Sequence, residues 1–162
     1  MKITVMESAG GRPTDLEIDE IMERTQWYGN GDSDWQEPDY ADRVSYVKGV
    51  LRGLKFPLRV WRGLRVPQGK ELRMDKDVGT HWTYKYEMFD QNKSGEWFTA
   101  DKLNVILSGI VTESQVNWRQ TVQDLASDYD PKRGYAGRDA EYEIELRRGE
   151  IPGELEIWSD YR

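Results

Sequence analysis

Cysteine is absent from this 162-residue sequence, and there is a single histidine, His81. The absence of cysteine excludes disulfides, thiolate zinc sites, iron–sulfur clusters and cysteine nucleophiles. A lone histidine also excludes the two-His and three-His metal sites. We therefore expect a protein whose chemistry uses no metal ion.

Long hydrophobic runs are also missing, and the N-terminus has no apolar stretch that would serve as a signal peptide or membrane helix. This predicts a cytoplasmic protein with no membrane partner. The 23 Lys and Arg are outnumbered by 30 Asp and Glu, which gives a net charge of −7. A negative surface repels nucleic-acid phosphates, so nucleic acid is disfavoured as a partner.

The length fits one globular domain, and the sequence shows no repeat and no low-complexity tract. Apolar periodicity and turn residues predict helices at 13–27, 40–54 and 116–129, and strands at 58–66, 78–84, 103–111, 141–146 and 154–158. These elements predict a single domain over residues 1–162, helical over 1–55 and mainly β over 56–162. Its fold class is α+β.

A basic segment interrupts the acidic chain. Residues 55–76 hold seven Lys or Arg and two acidic residues, a net charge of +5. Such a segment attracts a small anion such as a phosphate. The alternative interpretation is an exposed strand pair whose charges offset acidic neighbours.

Within this segment, strand alternation in LRVWRGL puts Arg62 on the same face as Val60 and Leu64, the face that favours the core. An inward guanidinium needs an anionic partner, either a bound ligand or a core carboxylate. Gly63 beside it leaves room for a ligand or a backbone segment to approach.

Two further stretches carry polar side chains at strand spacing. In EYEIEL, Glu141, Glu143 and Glu145 share one face, with neighbours about 6.5–7 Å apart. Such a row is either a solvated face or one side of a cleft that stabilises a cationic centre. In HWT, His81 and Thr83 share one face, where a lone histidine forms structural hydrogen bonds or contacts a ligand.

In this order, the three stretches resemble the ADP-ribosyltransferase superfamily, specifically its arginine / S-T-S / E-x-E branch. VWRGL is similar to the first motif, GTHWT stands where S-T-S belongs, and EYEIELRRG is similar to the E-x-E motif with its following turn. GYAG, at residues 134–137, is similar to the turn that precedes E-x-E and contacts the target. The resemblance covers about residues 56–158.

The resemblance implies a split β-sheet core with N-terminal helices and a mono-ADP-ribosyltransferase that takes ADP-ribose from NAD. Glu143 corresponds to the invariant glutamate, which stabilises the oxocarbenium-like ribose. Glu141 corresponds to the glutamate that activates a target arginine. The residues implied to bind NAD are Arg62, Gly63, His81, Trp82 and Thr83, and Tyr135 is implied to recognise the target, with Trp82 or Tyr135 stacking near nicotinamide or the acceptor.

Two departures accompany this assignment. His81 replaces the first serine, so an imidazole would orient the ribose, while Thr83 conservatively replaces the last serine. Glu143 and Glu145 are an alternative E-x-E pair, although the following I-x-L-x-x-G favours Glu141 and Glu143. The implied partners are NAD and an unidentified target protein, with possible NAD glycohydrolase activity and no metal. A small phage or bacterial member is implied, acting in the host cytoplasm if phage-encoded.

Other classes remain open. Seven Trp and nine Tyr also suit a non-catalytic recognition module that binds carbohydrate or protein through aromatic surfaces. A non-catalytic relative of the transferases is a second alternative. A third is an acidic inhibitor that mimics nucleic acid, against which the basic segment at residues 55–76 argues.

Overall fold

A five-stranded antiparallel sheet dominates the structure, a computed structural model that describes residues 11–25, 39–74, 78–90 and 103–162. Its strand order is β6-β2-β1-β3-β7. The strands are β1 (Leu58–Leu64), β2 (His81–Thr83), β3 (Val105–Val111), β6 (Glu143–Glu145) and β7 (Gly153–Asp160). A separate two-stranded ladder pairs β4 (Tyr129–Asp130) with β5 (Tyr135–Ala136).

Four α-helices accompany these strands in the described residues: α1 (Asp15–Arg24), α2 (Asp39–Gly53), the short α3 (Glu87–Asp90) and α4 (Trp118–Asp128). A short 3-10 helix covers Glu113–Gln115. Helix α1 begins with a capping box, in which the Thr14 hydroxyl accepts from the Glu17 amide and the Glu17 carboxylate accepts from the Thr14 amide. None of the described helices is long and apolar enough to span a bilayer.

The core lies between the sheet and the three longer helices, which pack against one another, while α4 also packs on β6. Strands β1, β2, β3 and β6 give buried side chains to it, including the fully buried Val60, Trp82, Leu107 and Ile144. The burial of each large apolar side chain contributes roughly 1.5–3 kcal/mol to folding. This packing fixes the edge strand β6 against its neighbours.

The predicted α+β class is confirmed, with helices first and strands concentrated later in the chain. The sequence does not predict the β4–β5 ladder: its pattern extends a helix to residue 129 and assigns no element to the polar residues 130–140. The turn of this ladder depends on Gly134, which has a φ of 77° that favours glycine. The ladder brings Tyr135 back beside Asp130, close to the end of α4.

Candidate active site

Three adjacent strands hold the sequence motifs. Strand β2 lies between β1 and β6, so the strand with Arg62, the HWT strand and the strand with Glu143 are direct neighbours. In the register, Thr83 is opposite Glu143 and His81 is opposite Glu145. Residues separated by about eighty positions in sequence therefore meet at one end of the sheet.

Arg62 lies on the core face of β1. It shares that face with Val60 and Leu64, as the sequence predicts. Its Nη1 donates to the carbonyl of His81 at 2.6 Å. Burial lowers the pKa of Arg62, and the negative charges of Glu143 and then Glu145 oppose that shift. The guanidinium is thus within electrostatic reach of both glutamates.

No carboxylate of the described residues forms an ion pair with Arg62, and its buried Nε has no hydrogen-bond acceptor there. A half-buried guanidinium without a counter-ion is costly, because its lost hydration is only partly replaced by a carbonyl. Glu143 and Glu145 act on this arginine only through their charge, without direct contact, so its hydrogen-bonding capacity is not satisfied by a core carboxylate of the described residues. An anionic ligand would supply the missing acceptor.

Glycine makes room for this side chain, although at a different position from the one the sequence suggests. Gly63 pairs with Ile106 on the other neighbouring strand, β3. The close approach is at Gly79, where a Cβ would lie 2.7 Å from Cζ of Arg62. Gly79 also has a φ of +81°, so both space and backbone require glycine there.

Glu141 and Glu143 form a carboxyl pair at the beginning of β6. Their side chains are hydrogen-bonded to each other, which requires a proton on one of them. Burial, the hydrogen bond to Glu141 and the nearby negative charges raise the pKa of Glu143 to about 8. Such a carboxyl is suited to exchange a proton near neutral pH.

Helix α4 contributes two further acids that the sequence analysis missed, Asp124 and Asp128. Both raise the pKa of Glu143 through their negative charge. Asp128 accepts hydrogen bonds from the backbone amides of Glu141, at 3.1 Å, and Tyr142, at 3.2 Å. It therefore holds the turn that leads into Glu143, and burial raises the pKa of Asp128 to about 6.

Thr83 acts on the same turn from the other side. Its hydroxyl donates to the carbonyl of Tyr142 at 3.1 Å, and the side chain is 5% exposed. Tyr142 has a φ of 54°, a left-handed backbone that is uncommon for a residue with a large side chain. Thr83 thus positions the residue that precedes Glu143.

His81 lies beside Glu145 rather than beside Glu143. Its Nε2 is 2.5 Å from Oε2 of Glu145, although that oxygen has no hydrogen bond of good geometry. The hydroxyl of Thr80 donates to the other Glu145 oxygen at 3.1 Å. Glu145 is therefore the residue that contacts the imidazole. The alternation of glutamates in EYEIEL does not predict this pairing.

A metal ion would find one set of donors here. His81, Asp124 and Glu145 each offer a ligand atom, and the three atoms lie within 4.8 Å of one another. The set combines one imidazole with two carboxylates. A protonated histidine pairs with carboxylates without any metal ion. The sequence-based expectation of a metal-free reaction stays a prediction.

The two aromatic residues proposed for stacking have opposite environments. Trp82 is 0% exposed and its Nε1 donates to the carbonyl of Gly79 at 3.0 Å. A stacking role does not fit that position, because the indole belongs to the core. Tyr135 is 55% exposed and lies beside a cavity of about 840 Å³ that Tyr84 and Tyr142 also line.

The raised pKa of Glu143 predicts that stability falls with increasing pH. The folded protein keeps a proton on this carboxyl up to about pH 8, whereas the unfolded chain releases it near 4.5. The folded state binds more protons in that window, so the free energy of unfolding decreases as pH rises through it. We expect a decrease of about 1–2 kcal/mol, after allowance for solvent screening.

Urea unfolding at pH 5.5, 7.0 and 8.5 measures this decrease. In Glu143→Gln it should be much smaller, because the amide does not titrate. The matched variant Glu154→Gln, which removes an exposed carboxylate, should retain the wild-type dependence. Equal slopes in the wild type and Glu143→Gln would show that Glu143 is not the buried acid.

Comparisons with known proteins add no relative to this picture: no family model, no curated protein and no solved structure matches the chain. The interpretation of the site therefore depends on its own geometry and on the motif resemblance.

Proposed function

We propose that this protein is a mono-ADP-ribosyltransferase that transfers ADP-ribose from NAD to a target protein, on an arginine side chain, with NAD hydrolysis as a side reaction. The observation that carries the proposal is Arg62, a half-buried guanidinium without a carboxylate partner among the described residues, beside the glutamates of β6. The pyrophosphate of NAD would supply the anion that this site lacks.

The chemistry assigns different roles to the two glutamates. The bond between the nicotinamide nitrogen and C1′ of the ribose breaks, and nicotinamide leaves with the bonding electron pair. Ionised Glu143 stabilises the positive charge that develops on the ribose. A guanidinium nitrogen of the target then bonds to C1′ and loses a proton to Glu141. Hydrolysis follows the same course with water as the acceptor.

The sheet supports the same assignment at the level of the fold. We propose that β1, β2 and β6 belong to the split β-sheet core of the ADP-ribosyltransferases, because the arginine, HWT and E-x-E stretches lie on three neighbouring strands. In this proposal His81 contacts the ribose, Thr83 positions the E-x-E turn, and Tyr135 contacts the target. The reaction would take place in the cytoplasm, where NAD is available.

Calorimetric titration with NAD tests the binding step. Arg62→Gln should weaken NAD binding by about 10- to 100-fold, as expected when a charge-assisted bidentate contact is lost. The matched control is Arg65→Gln, which changes the exposed arginine directly after the end of β1 and should bind NAD like the wild type. No heat with millimolar NAD, or equal weakening in both variants, would contradict the proposed site.

A recognition module is the second candidate, because β7 and the residues after it expose large apolar side chains. Ile157 and Trp158 are each 43% exposed, and Tyr161 is 58% exposed. Such a surface suits contact with a sugar ring or another protein. Titration with glycans, followed by tryptophan fluorescence, would give a saturable change for this candidate, whereas the transferase requires a response to NAD.

A further inference from the structure

A second charged region lies away from Arg62 and the E-x-E pair. A cavity of about 420 Å³ opens between α1, the N-terminal end of α4 and the turn that follows β6. Its volume is within the usual range for small-ligand sites, roughly 300–1,000 Å³. Four arginines line it, namely Arg24, Arg119, Arg147 and Arg148.

Among the residues that the structure describes, three of these arginines have no carboxylate partner. Arg24 is paired with Glu20 at 2.7 Å, and the Arg147 side chain makes only a long contact, 3.4 Å, with the carbonyl of Ser114. The side chains of Arg119 and Arg148 have no ion pair or hydrogen bond with the described residues. A bound anion would give these three exposed guanidinium groups a partner.

The N-terminal end of α4 adds positive charge to the cavity. The helix has eleven residues, and its first turn contains no acidic side chain to offset the positive end of the helix dipole. The Asn117 side chain caps only the amide of Gln120. Trp118 and Arg119, the first two residues of the helix, belong to the cavity wall.

The walls are held in place before any ligand binds. The amide of Asn117 donates to the carbonyl of Glu145 at 2.8 Å, and that of Arg147 donates to the carbonyl of Gln115 at 2.8 Å. The indole of Trp118 donates to the carbonyl of Glu113 at 3.1 Å. A preformed wall reduces the ordering cost of binding.

Carboxylates also line the cavity. They belong to Glu17 and Glu20 of α1, and Glu20 is already paired with Arg24. Oε2 of Glu17 is buried and has no hydrogen-bond partner among the described residues. Carboxylates accept hydrogen bonds from hydroxyl groups, whereas arginines bind phosphate bidentately. This combination favours a ligand that carries both a phosphate and hydroxyl groups.

We infer that this cavity binds a phosphorylated sugar, with Arg119, Arg147 and Arg148 on the phosphate and Glu17 on the hydroxyl groups. The site is separate from the proposed NAD site and does not depend on the transferase activity. It also differs from the basic segment at residues 55–76, whose described part, residues 55–74, does not line this cavity.

Calorimetry with ribose 5-phosphate, inorganic phosphate and ribose tests the inference on the intact protein. We expect saturable binding of ribose 5-phosphate, weaker binding of inorganic phosphate and none of ribose. The double variant Arg119→Gln/Arg148→Gln should weaken ribose 5-phosphate binding at least about tenfold, as loss of charge-assisted hydrogen bonds predicts. Arg65→Gln/Arg73→Gln, which removes two exposed arginines of the basic segment, is the matched control and should bind normally.

Each other outcome overturns the inference. The absence of wild-type binding at millimolar ribose 5-phosphate would exclude the site, and equal weakening in both double variants would indicate general charge attraction. Equal affinity for inorganic phosphate would remove the sugar from the assignment. Loss of binding only in Arg62→Gln would place the ligand at the proposed NAD site, and would leave the transferase proposal intact. Unchanged thermal unfolding of the Arg119→Gln/Arg148→Gln variant shows that its fold is preserved.

Discussion

Glu143→Gln should reduce both nicotinamide release and transfer of labelled ADP-ribose by about 1,000-fold, the upper range for removal of one electrostatic group from a transition state. The amide preserves the shape of the side chain but not its negative charge. That charge is needed because C1′ of the ribose becomes electron-deficient before the acceptor bonds to it. Incubation with labelled NAD and a bacterial lysate measures both products in one experiment.

Two companion variants sharpen the test. Glu145→Gln removes the alternative E-x-E glutamate, which contacts His81 and Thr80, and should retain much more activity than Glu143→Gln. Glu154→Gln removes an exposed carboxylate and should behave like the wild type. The catalytic assignment would move to the pair Glu143 and Glu145 if Glu145→Gln were as inactive as Glu143→Gln. Full activity of Glu143→Gln would remove Glu143 from the mechanism.

Because the pKa of Glu143 is raised to about 8, the proposed reaction should depend on pH. In the proposed mechanism the ionised form stabilises the ribose cation, so the rate of NAD cleavage should increase between pH 6.5 and 8.5. Bound NAD would add its own charge beside Arg62. The pH dependence of the rate therefore reports on Glu143 with NAD present, whereas unfolding reports on the protein alone.

Glu141→Gln should separate the two reactions. We expect transfer to arginine to decrease by at least about 100-fold, because a general base that removes the guanidinium proton is lost. NAD hydrolysis should decrease much less, since water needs less assistance than a protonated guanidinium. The amide can still donate a hydrogen bond to Glu143, so the geometry of the pair is retained.

The same assay measures this separation, with released nicotinamide compared against label on protein. Arg138→Gln, an exposed change in the neighbouring turn, is a control for general effects of the surface on target binding. If Glu141→Gln loses hydrolysis and transfer to the same extent, the two glutamates act as one unit and the division between them is wrong.

Strand alternation predicted which face of each strand a residue occupies, because its rules are local, whereas the convergence of the three stretches was predicted from the family resemblance. The inward position of Arg62 followed from the apolar residues on either side of it, and the opposite faces of Trp82 and Thr83 followed from HWT being a strand. The order of the three stretches predicted that they would lie close together. The three stretches lie close together because β2 pairs with both β1 and β6, which is a long-range feature of the fold.

Alternation failed at Glu141, because the observed strand β6 begins only at Glu143, whereas the sequence predicts a strand from residue 141. A continuous strand would hold the Glu141 and Glu143 carboxyl groups about two residues apart, roughly 6.5–7 Å. The left-handed backbone of Tyr142 breaks that spacing and allows the two to form a hydrogen bond. A tyrosine gives no sequence signal for this conformation, which Asp128 and Thr83 impose through tertiary contacts.

The acids of α4 were missed for a related reason. Asp124 and Asp128 are four residues apart and share one helix face, a pattern that is common on solvated helices. Only the packing of α4 on β6 brings that face to the E-x-E pair. The partners of His81 likewise depend on strand register, which the sequence does not specify at an edge strand as short as β6.

The close approach of Gly79 and Arg62 restricts which pairs of residues the two positions can hold together. A side chain at position 79 would occupy the space of the guanidinium, so a substitution there removes the arginine's function without touching the arginine itself. Random mutagenesis followed by selection for activity should therefore recover position 79 only as glycine while position 62 is arginine. A library randomised at both positions would yield other residues at 79 only together with a shorter side chain at 62, and such survivors would have to bind their anion by another route.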